Sequence, residues 1–500
     1  MTAPVRGNRP ETMHDAPRWC QILVKCSYFV WGTIAVLGLG TLDFNLIDPA
    51  IQIGVLAFIT IKIARRLARA DGDPAIFGFV MAAFAAKMLG GVARDLVTNV
   101  YYKGVADANE YHTYGKELVT HYRVFDFSPN VGKLSGTGFM RALTGVVYSF
   151  SGTSKFGAFM IFAWFGFIGL LLFWRAFLRA VPVGDGRRYG LLVLFLPSLL
   201  YWPSALGKDA WCVMGLGFLS YGVACFMTRR WIWGALSMVA GLAAVVYVRP
   251  HVALIVFCGI VLAAVVGKSQ KKSPAAPVVR VVVFGALFVM GTVLASSTSS
   301  FLGVKSLNSE TVDQQLNKAE GRTSKEEVGS TFTPVRVNTP LDLPLATVTV
   351  LFRPFPWEAH NGPSLGTAAE GVFLIYLSWR GRRRFLSIPH CMRNYPYVAY
   401  AVGYLFVFVF AFSAFSNFGI LARQRAQVMP AFLVFLCLPE RRRGLATNDE
   451  PGTPDTAEGP YPSAPAHEDP YANLRDQQQV DPYGRPPRPD PGATPWNRPG

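Results

Sequence analysis

Charged residues are scarce in this sequence. They make up 16% of its 500 residues, whereas hydrophobic residues make up 51%. Soluble domains carry roughly 25% charged residues, so this composition argues against an ordinary soluble protein. The charge is also one-sided, with 48 Lys and Arg against 31 Asp and Glu. Because most of the positive residues stand in short clusters between apolar runs, the excess indicates membrane topology, and we expect no nucleic-acid partner.

Familiar signatures of nucleotide and metal chemistry are missing as well. The sequence has no Walker motif, no GxGxxG after a strand pattern, no HExxH and no nucleophile elbow. Its seven cysteines form no CxxC pair, so neither a disulfide framework nor a zinc site is predicted. We therefore expect no cofactor, with a divalent cation left as an alternative. The energy for any reaction should then come from the substrate.

Long apolar runs are what the sequence has in abundance. Each covers about 17–25 residues, which is enough for a helix to cross the hydrocarbon core of a bilayer. The runs do not alternate apolar with polar residues as barrel strands do, and helices satisfy their own backbone groups in lipid. We predict an all-α polytopic membrane protein with about 12 transmembrane helices. The predicted spans are 27–43, 47–64, 74–92, 156–174, 189–205, 209–227, 231–248, 251–267, 278–296, 364–379, 396–415 and 419–438.

Basic clusters between the apolar runs predict the orientation. With twelve spans and a cytoplasmic N-terminal segment at 1–26, every cluster falls on the cytoplasmic side, in agreement with the positive-inside rule. This pattern predicts a multi-pass membrane protein with both termini in the cytoplasm. The clusters lie at 62–66, 175–188, 229–230, 268–280, 380–384 and 441–443.

The transmembrane bundle predicted at 27–438 carries two long outer loops and is followed by a tail. The loops, at about 93–155 and 297–363, mix charges, aromatics and Gly, and long loops of this kind are commonly functional. Within the first loop, 138–150 has the pattern of an amphipathic interfacial helix. The segment 439–500 is rich in Pro, Gly, Asp and Gln and is predicted to be a disordered cytoplasmic tail. It is either a solvated tail or a docking segment for other proteins.

The first outer loop holds the candidate catalytic residues. Asp95 stands at a membrane exit, and Asp107, Glu110 and His112 follow within one short stretch. A carboxylate that is partly desolvated beside a membrane can have a raised pKa and serve as a general base. The alternative is a solvated loop that happens to be polar.

Lys208 and Asp209 stand where the predicted sixth span begins. The start of a helix presents free N–H groups and the positive end of the helix dipole, so it favours an anion. Lys208 would add a point charge for a phosphate group. The alternative is that Asp209 only caps the helix. Capping explains the aspartate but leaves the lysine unexplained, because the dipole disfavours a cation at that end.

Four arginines on the predicted outer side run against the positive-inside bias. Arg249, Arg353, Arg423 and Arg425 all lie at ends of predicted spans, and a charge at the membrane edge is a functional hypothesis by default. Together they would suit a multiply charged anion such as a lipid-linked pyrophosphate. The alternative is interfacial anchoring by snorkelling side chains. The candidate binding set also includes the neighbouring residues His251, Glu358 and His360.

Taken together, these motifs resemble those of a group of envelope proteins. They comprise the acidic and aromatic stretch 107–115, the turn 197–209 that ends in Lys-Asp, the Arg-Pro-His turn at 249–251 and the Ala-Arg-Gln-Arg stretch at 422–425. The pattern resembles bacterial exopolysaccharide and O-antigen polymerase-like membrane proteins. More distantly, it is similar to the C-type glycosyltransferases that use polyprenyl-linked sugars. The resemblance covers 27–438 and implies a location in the bacterial plasma membrane.

The resemblance implies an undecaprenyl-type lipid-linked donor, a glycosyl acceptor and an inverting transfer at the outer face. It implies that an outer carboxylate activates the acceptor hydroxyl, which we match to Asp107, with Glu110 or Asp95 as reserves. In C-type enzymes this acid usually follows the first span, whereas Asp107 follows the third predicted span. The resemblance also implies that Lys208, Arg249, Arg353 and Arg425 hold the pyrophosphate. Two other functions remain as alternatives: a transporter or flippase of lipid-linked glycans, and a non-catalytic scaffold of an envelope-synthesis complex.

Overall fold

A computed structural model shows a chain that is helical almost throughout the residues it describes. In this part of the chain the strand-like pairing is limited to an isolated antiparallel bridge between Thr331 and Asn417. The all-helical class predicted from the sequence is therefore confirmed. The predicted tail from 441 onward, the N-terminal residues 1–11 and most of the basic cluster at 268–280 lie outside the described residues. Those described are 12–103, 107–267, 276–302, 304, 309–324 and 331–440.

The helices follow one another with short connections. In the first half of the chain they are α1 (Arg18–Thr41), α2 (Phe44–Asp71), α3 (Ala75–Leu96), α4 (Asp107–Tyr122), α5 (Thr137–Ser151), α6 (Lys155–Ala180), α7 (Gly186–Phe195), α8 (Pro197–Tyr201), α9 (Lys208–Met227) and α10 (Trp231–Val246). In the second half they are α11 (Pro250–Val266), α12 (Ala276–Leu302), α13 (Ser309–Ser324), α14 (Leu343–Phe352), α15 (Gly362–Arg380), α16 (Arg382–Phe385), α17 (Ile388–Asn394), α18 (Pro396–Phe412), α19 (Phe418–Arg425) and α20 (Met429–Leu436).

Five of the described helices are long and apolar enough to cross a membrane. They are α1, α2, α6, α9 and α3, which continues through a π-helical turn to Tyr101. Other predicted spans coincide with shorter apolar helices, such as α10 with 16 residues and α11 and α18 with 17 each. The length and composition of the helices thus support a membrane protein. The number twelve and the orientation of the termini stay predictions.

Two predicted spans are each divided into two helices, which corrects the sequence-based expectation. The predicted span 189–205 is broken between α7 and α8 at Leu196, whose ψ of 128° is extended. The cause is Pro197, because proline lacks an N–H donor and disfavours helical geometry in the residue before it. The predicted span 419–438 is likewise divided into α19 and α20. Pro430 stands in the first turn of α20, a position that proline tolerates well.

Glycines allow the central helices to approach closely. A Cβ placed on Gly217 of α9 would collide with the backbone of Gly169 on α6, and one on Gly241 of α10 would collide with the backbone of Gly215 on α9. Small residues at helix contacts let backbones pack without intervening side chains, which is how helices associate in lipid. The same arrangement brings α11 and α18 together. Helix α9 therefore lies between α6 and α10, with its first turn carrying Lys208 and Asp209.

The predicted outer loops contain helices of their own. The first holds α4 and α5, and α5 coincides with the amphipathic stretch predicted at 138–150. The two helices pack against each other where Gly115 of α4 meets Thr144 of α5. The second predicted loop contains α13 and α14. The α4–α5 pair matters most for the site, because it supplies Asp107 at the start of α4 and Thr137 at the start of α5.

Candidate functional site

A buried aspartate is the centre of the candidate site. Asp209 lies in the first turn of α9 with 4% of its surface exposed. Its Oδ1 is 2.8 Å from Nη2 of Arg249, and its Oδ2 accepts a hydrogen bond from Nε of Arg423. A carboxylate buried this deeply needs opposite charges beside it, and the two guanidinium groups supply them. The anion at this helix start is therefore the chain's own aspartate.

Arg423 joins this buried carboxylate to an exposed one. Its Nη2 is 3.6 Å from Oδ2 of Asp107, at the start of α4. The Asp107 side chain is 55% exposed, whereas that of Asp209 is 6% exposed. One guanidinium thus connects an enclosed carboxylate with one that solvent or a substrate can reach. We call the set formed by Asp107, Lys208, Asp209, Arg249 and Arg423 the paired-charge cluster.

Four separate parts of the chain build the paired-charge cluster. Arg249 precedes Pro250, which stands at the first position of α11, so the turn between α10 and α11 holds the arginine in place. Arg423 lies in the last turn of α19, whose start is capped by the Asn417 side chain accepting from the N–H of Ile420. The residues span positions 107 to 423, so chain proximity does not explain their meeting. With three cations and two carboxylates, the cluster is net positive.

A cationic cavity adjoins the paired-charge cluster. It has a volume of about 280 Å³, and its charged lining residues are Lys133, Arg141 and Lys208. Nζ of Lys208 donates to Oγ1 of Thr137, the first residue of α5, at 3.0 Å. The N-cap of α5 is Gly136, with φ of 66°, in the left-handed region that glycine adopts without strain. The cavity lining also includes Val131, Gly132, Ser135, Gly136, Thr137, Gly138 and Phe301.

Tyr111 links the cavity to the exposed carboxylate. It lies one turn after Asp107 on α4 and is 1% exposed. Burial, followed by the negative charge of Asp107, raises the pKa of Tyr111 above its ordinary value, so the phenol keeps its proton at neutral pH. Its hydroxyl is hydrogen-bonded to the Thr137 side chain. Thr137 therefore contacts both Tyr111 and Lys208, one from each side of the site.

The other predicted catalytic residues lie in separate interactions. Glu110 accepts from Nε of Arg141 at 3.1 Å. Asp95 accepts from the Asn99 side chain at 2.7 Å. Nδ1 of His112 is 2.6 Å from the buried hydroxyl of Tyr148. Burial, followed by the positive charges of Lys116 and Lys155, lowers the pKa of His112 to about 4, so the imidazole is neutral near pH 7. Of the four predicted catalytic residues, only Asp107 belongs to the paired-charge cluster.

The predicted binding residues divide in the same way. Arg353 forms an ion pair with Glu358 at 2.9 Å and donates to the carbonyl of Thr333. His251 lies against the ring of Phe301, one of the cavity residues. Arg425 is completely buried and donates to the carbonyls of Leu351 and Arg353 at 2.9 and 2.7 Å. His360 is exposed, before the start of α15. Lys208, Asp209, Arg249 and Arg423 are the ones that meet.

Two further buried charges bind the ends of a short helix. Nζ of Lys87, on α3, donates to the carbonyl of Leu199 at 2.6 Å. Glu370, on α15, accepts from the N–H of Ser198 at 2.6 Å. Both backbone groups belong to α8, whose short length leaves most of its N–H and C=O groups without partners inside the helix. We call Lys87, Glu370 and Arg425 the helix-cap charges, because each satisfies backbone groups at a helix end.

No protein-family model, curated protein or solved structure matches this chain. The chemistry of the site must therefore be argued from its geometry. An exposed carboxylate held beside an arginine can take a proton from a hydroxyl group. A neighbouring cavity with three cationic side chains can hold a phosphate-bearing group.

The sequence-based prediction missed the cavity residues. Lys133, Thr137 and Arg141 were not among the candidates, although they lie in the predicted outer loop. The signal that could have found them is the glycine-rich stretch 131–138, directly before the amphipathic helix. Glycines at Gly132 and Gly136 adopt positive φ values of 83° and 66°, and they shape the turn that leads into α5.

Proposed function

We propose that the protein is a membrane glycosyltransferase or polysaccharide polymerase that acts on polyprenyl-phosphate- or polyprenyl-pyrophosphate-linked sugars. The observation that supports this proposal is the meeting of an exposed carboxylate with a cationic cavity. Asp107 forms an ion pair with Arg423 in the paired-charge cluster. Lys208 belongs to the same cluster and also lines the cavity. Transfer from a phosphorylated lipid needs both a base for the acceptor and cations for the leaving group.

The cavity suits the phosphate part of a lipid-linked donor. Lys133, Arg141 and Lys208 line it together with residues of the turn 131–138. The charges of Arg249, Arg423, Asp107 and Asp209 all act on the Lys208 ammonium group. A doubly or triply charged phosphate group would offset this local excess of positive charge. The lipid chain would leave the site toward the apolar surfaces of the helices.

The proposed reaction uses Asp107 as the general base. Its carboxylate accepts the proton of an acceptor hydroxyl while that oxygen forms a new bond to the anomeric carbon. The bond between the anomeric carbon and the phosphate oxygen breaks, and the polyprenyl phosphate or pyrophosphate leaves with the electron pair. Lys208 and Arg423 stabilise the negative charge that develops on the leaving group. Asp209 and Arg249 hold Arg423 in position and take no part in proton transfer.

The decisive experiment replaces the proposed base. We expect Asp107→Asn to reduce transfer roughly 100-fold or more, because a positioned general base contributes about 10²–10⁴ in rate. The assay uses the full chain in proteoliposomes with a panel of synthetic polyprenyl-phosphate and polyprenyl-pyrophosphate sugars labelled in the sugar. Release of label from the lipid into a glycan product is measured, together with release of the polyprenyl phosphate.

The matched control is Glu117→Gln, which removes a carboxylate from the exposed side of the same helix. It should leave transfer unchanged, and both variants should insert into the membrane and unfold at the temperature of the parent. Equal transfer by Asp107→Asn and the parent would rule out Asp107 as the base. If the parent releases no label from any member of the panel, the glycosyltransferase proposal itself fails.

A second candidate function is transport of a lipid-linked glycan. It is favoured by the broken helix α7–α8 and by Lys87 and Glu370, which lie buried beside it, since discontinuous helices are typical of transporter sites. The observation against transport is that Lys87 and Glu370 already bind backbone groups of α8, so their charges have partners within the chain. Movement of a fluorescent lipid-linked sugar across the proteoliposome membrane, with its covalent structure unchanged, would favour transport over transfer.

A further inference from the structure

A second cationic cavity lies at the carboxyl-terminal part of α2. Its volume is about 390 Å³, and it is lined by Lys62, Arg65, Arg66 and Arg69. All four side chains are exposed. Their spacing of three and four residues places them on neighbouring positions of one helix surface, over a length of roughly 10 Å. Among the described residues that line this cavity there is no carboxylate.

The acidic residues at the end of α2 and directly after it interact with other groups. Asp71 forms an ion pair with Arg175 of α6. Oδ1 of Asp73 accepts from the N–H of Ala75, at the start of α3. Two of the cations also keep close to aromatic rings, since Nζ of Lys62 is 4.6 Å from the ring centre of Phe58 and Cζ of Arg65 is 5.9 Å from that of Phe77. Lys62, Arg65 and Arg66 therefore give the cavity a concentrated positive charge that suits an anion from outside the chain.

An exposed apolar stripe leads directly to these cations. Ile51, Val55 and Phe58 of α2 are 62%, 54% and 58% exposed, although all three are large and apolar. They continue into Lys62 and Arg65 with the same alternation of four and three residues, so all lie along one side of the helix. A surface that is apolar along one length and cationic at its end matches a phospholipid, whose acyl chains join a phosphate headgroup.

The length of α2 agrees with this placement. With 28 residues it is about 42 Å long, whereas a hydrocarbon core is about 30 Å thick. The difference of about 12 Å corresponds to the last two turns, which carry Arg65, Arg66 and Arg69, and Lys62 lies just before them. These turns would therefore reach the headgroup region while the apolar stripe stays among the acyl chains. Basic clusters directly beyond a transmembrane helix are a known mode of binding acidic lipids.

We propose that this surface of α2 is a binding site for an anionic phospholipid. Its acyl chain lies along Ile51, Val55 and Phe58, and its headgroup phosphate lies among Lys62, Arg65 and Arg66. The site is at the opposite end of the membrane helices from the paired-charge cluster in the predicted topology. It does not depend on the proposed transferase activity, so either proposal can fail while the other stands.

Lipid retention by the purified full chain tests the site. We expect native mass spectrometry to show phosphatidylglycerol retained in preference to phosphatidylcholine. The triple variant Lys62→Gln, Arg65→Gln, Arg66→Gln should weaken phosphatidylglycerol binding roughly 100-fold, because each basic residue near a membrane surface contributes about 1 kcal/mol. The matched control is Arg230→Gln, Arg380→Gln, Arg383→Gln, which removes the same number of exposed charges elsewhere and should retain the lipid.

Each other outcome overturns the proposal. Equal loss of lipid in the two triple variants would mean that net charge alone attracts it. Retention by both variants would mean that the lipid binds elsewhere. Displacement of phosphatidylglycerol by millimolar inorganic phosphate would assign the cations to a free anion and would remove the role of the apolar stripe.

Discussion

The paired-charge cluster and the helix-cap charges place buried charge in the same molecule in two different ways. In the paired-charge cluster, side chains neutralise one another, since Asp209 lies between Arg249 and Arg423. The helix-cap charges bind the backbone instead, as Lys87 does at α8 and Arg425 does at the end of α14. The paired-charge cluster is accessible to solvent at Asp107, whose side chain is exposed. The arrangement of the helix-cap charges is closed, because its partners are carbonyl and N–H groups that the fold itself supplies.

This difference shows why burial alone does not identify a functional charge. A charge in lipid is costly wherever it lies, and it persists only with a partner. Where a helix ends inside the membrane, its free backbone groups need partners as much as the charge does. Lys87 and Glu370 supply such partners, because they bind backbone groups of α8 next to the break at Pro197. In the paired-charge cluster, by contrast, the carboxylate of Asp107 is exposed and caps no buried backbone group. For this reason we propose that the reaction takes place at Asp107.

Among substitutions in the two groups of charges, replacement of Asp209 should cause the largest loss of stability. Asp209→Ala leaves the guanidinium groups of Arg249 and Arg423 close together without the buried carboxylate between them. Breaking a buried ion pair in this way costs about 3–5 kcal/mol. We expect a large drop in the unfolding temperature, measured on the purified protein in detergent.

Adding Arg249→Met to Asp209→Ala should restore part of this loss, because a charge that has lost its partner is then removed. The two single changes should therefore couple by at least about 1 kcal/mol in a double-mutant cycle. Additive effects of the two changes would show that the ion pair contributes no interaction energy, and the distinction between the two groups would lose its basis.

Replacement of a helix-cap charge should cause a smaller loss of stability. Arg425→Met removes the donor that serves the carbonyls of Leu351 and Arg353. Leaving buried backbone groups unsatisfied costs roughly 2 kcal/mol, and Arg425→Lys should recover part of this because the lysine can still donate. Lys87→Met should act similarly through Leu199. Thermal unfolding of the three variants measures these losses.

Combining Lys87→Met with Arg425→Met sharpens the comparison. The two side chains bind different backbone groups, on α8 and at the end of α14, so their effects should add to within about 0.5 kcal/mol. Strong coupling between them would mean that the helix-cap charges form one network, as the paired-charge cluster does.

The sequence alone predicted the class of fold and part of the site. Apolar runs and their lengths indicated helices, and Lys208 was correctly placed at the start of one. The break at Leu196 was missed because apolar composition continues across it. The break between α19 and α20 was missed although it directly follows the polar residues Arg423, Gln424 and Arg425. Pro197 was visible, but a proline within an apolar run is compatible with either a kink or a break.

For the site, the charge pattern identified residues but not partners. Arg249 and Arg423 were expected to bind a multiply charged anion, whereas in the structure both form ion pairs with Asp209. Arg425, two positions after Arg423, points to a different set of partners because successive helix positions diverge in direction by about 100° each. Residues on opposite sides of a helix look alike in a sequence, so only the packing separates the one that binds backbone from the one that meets a carboxylate.

The smallest effect concerns His112, which belongs to neither group. Its folded-state pKa of about 4 lies below the ordinary value of 6.5, so the folded protein binds fewer protons at this residue than the unfolded chain does. Stability should therefore fall as the pH decreases from about 6.5 toward 4. The ring is partly solvated, so we expect a loss below about 1 kcal/mol between about pH 7 and pH 5. His112→Gln can still accept from Tyr148 and cannot titrate, so its unfolding temperature should change less over this interval than that of the parent. An equal change in both proteins would assign the pH dependence to other groups.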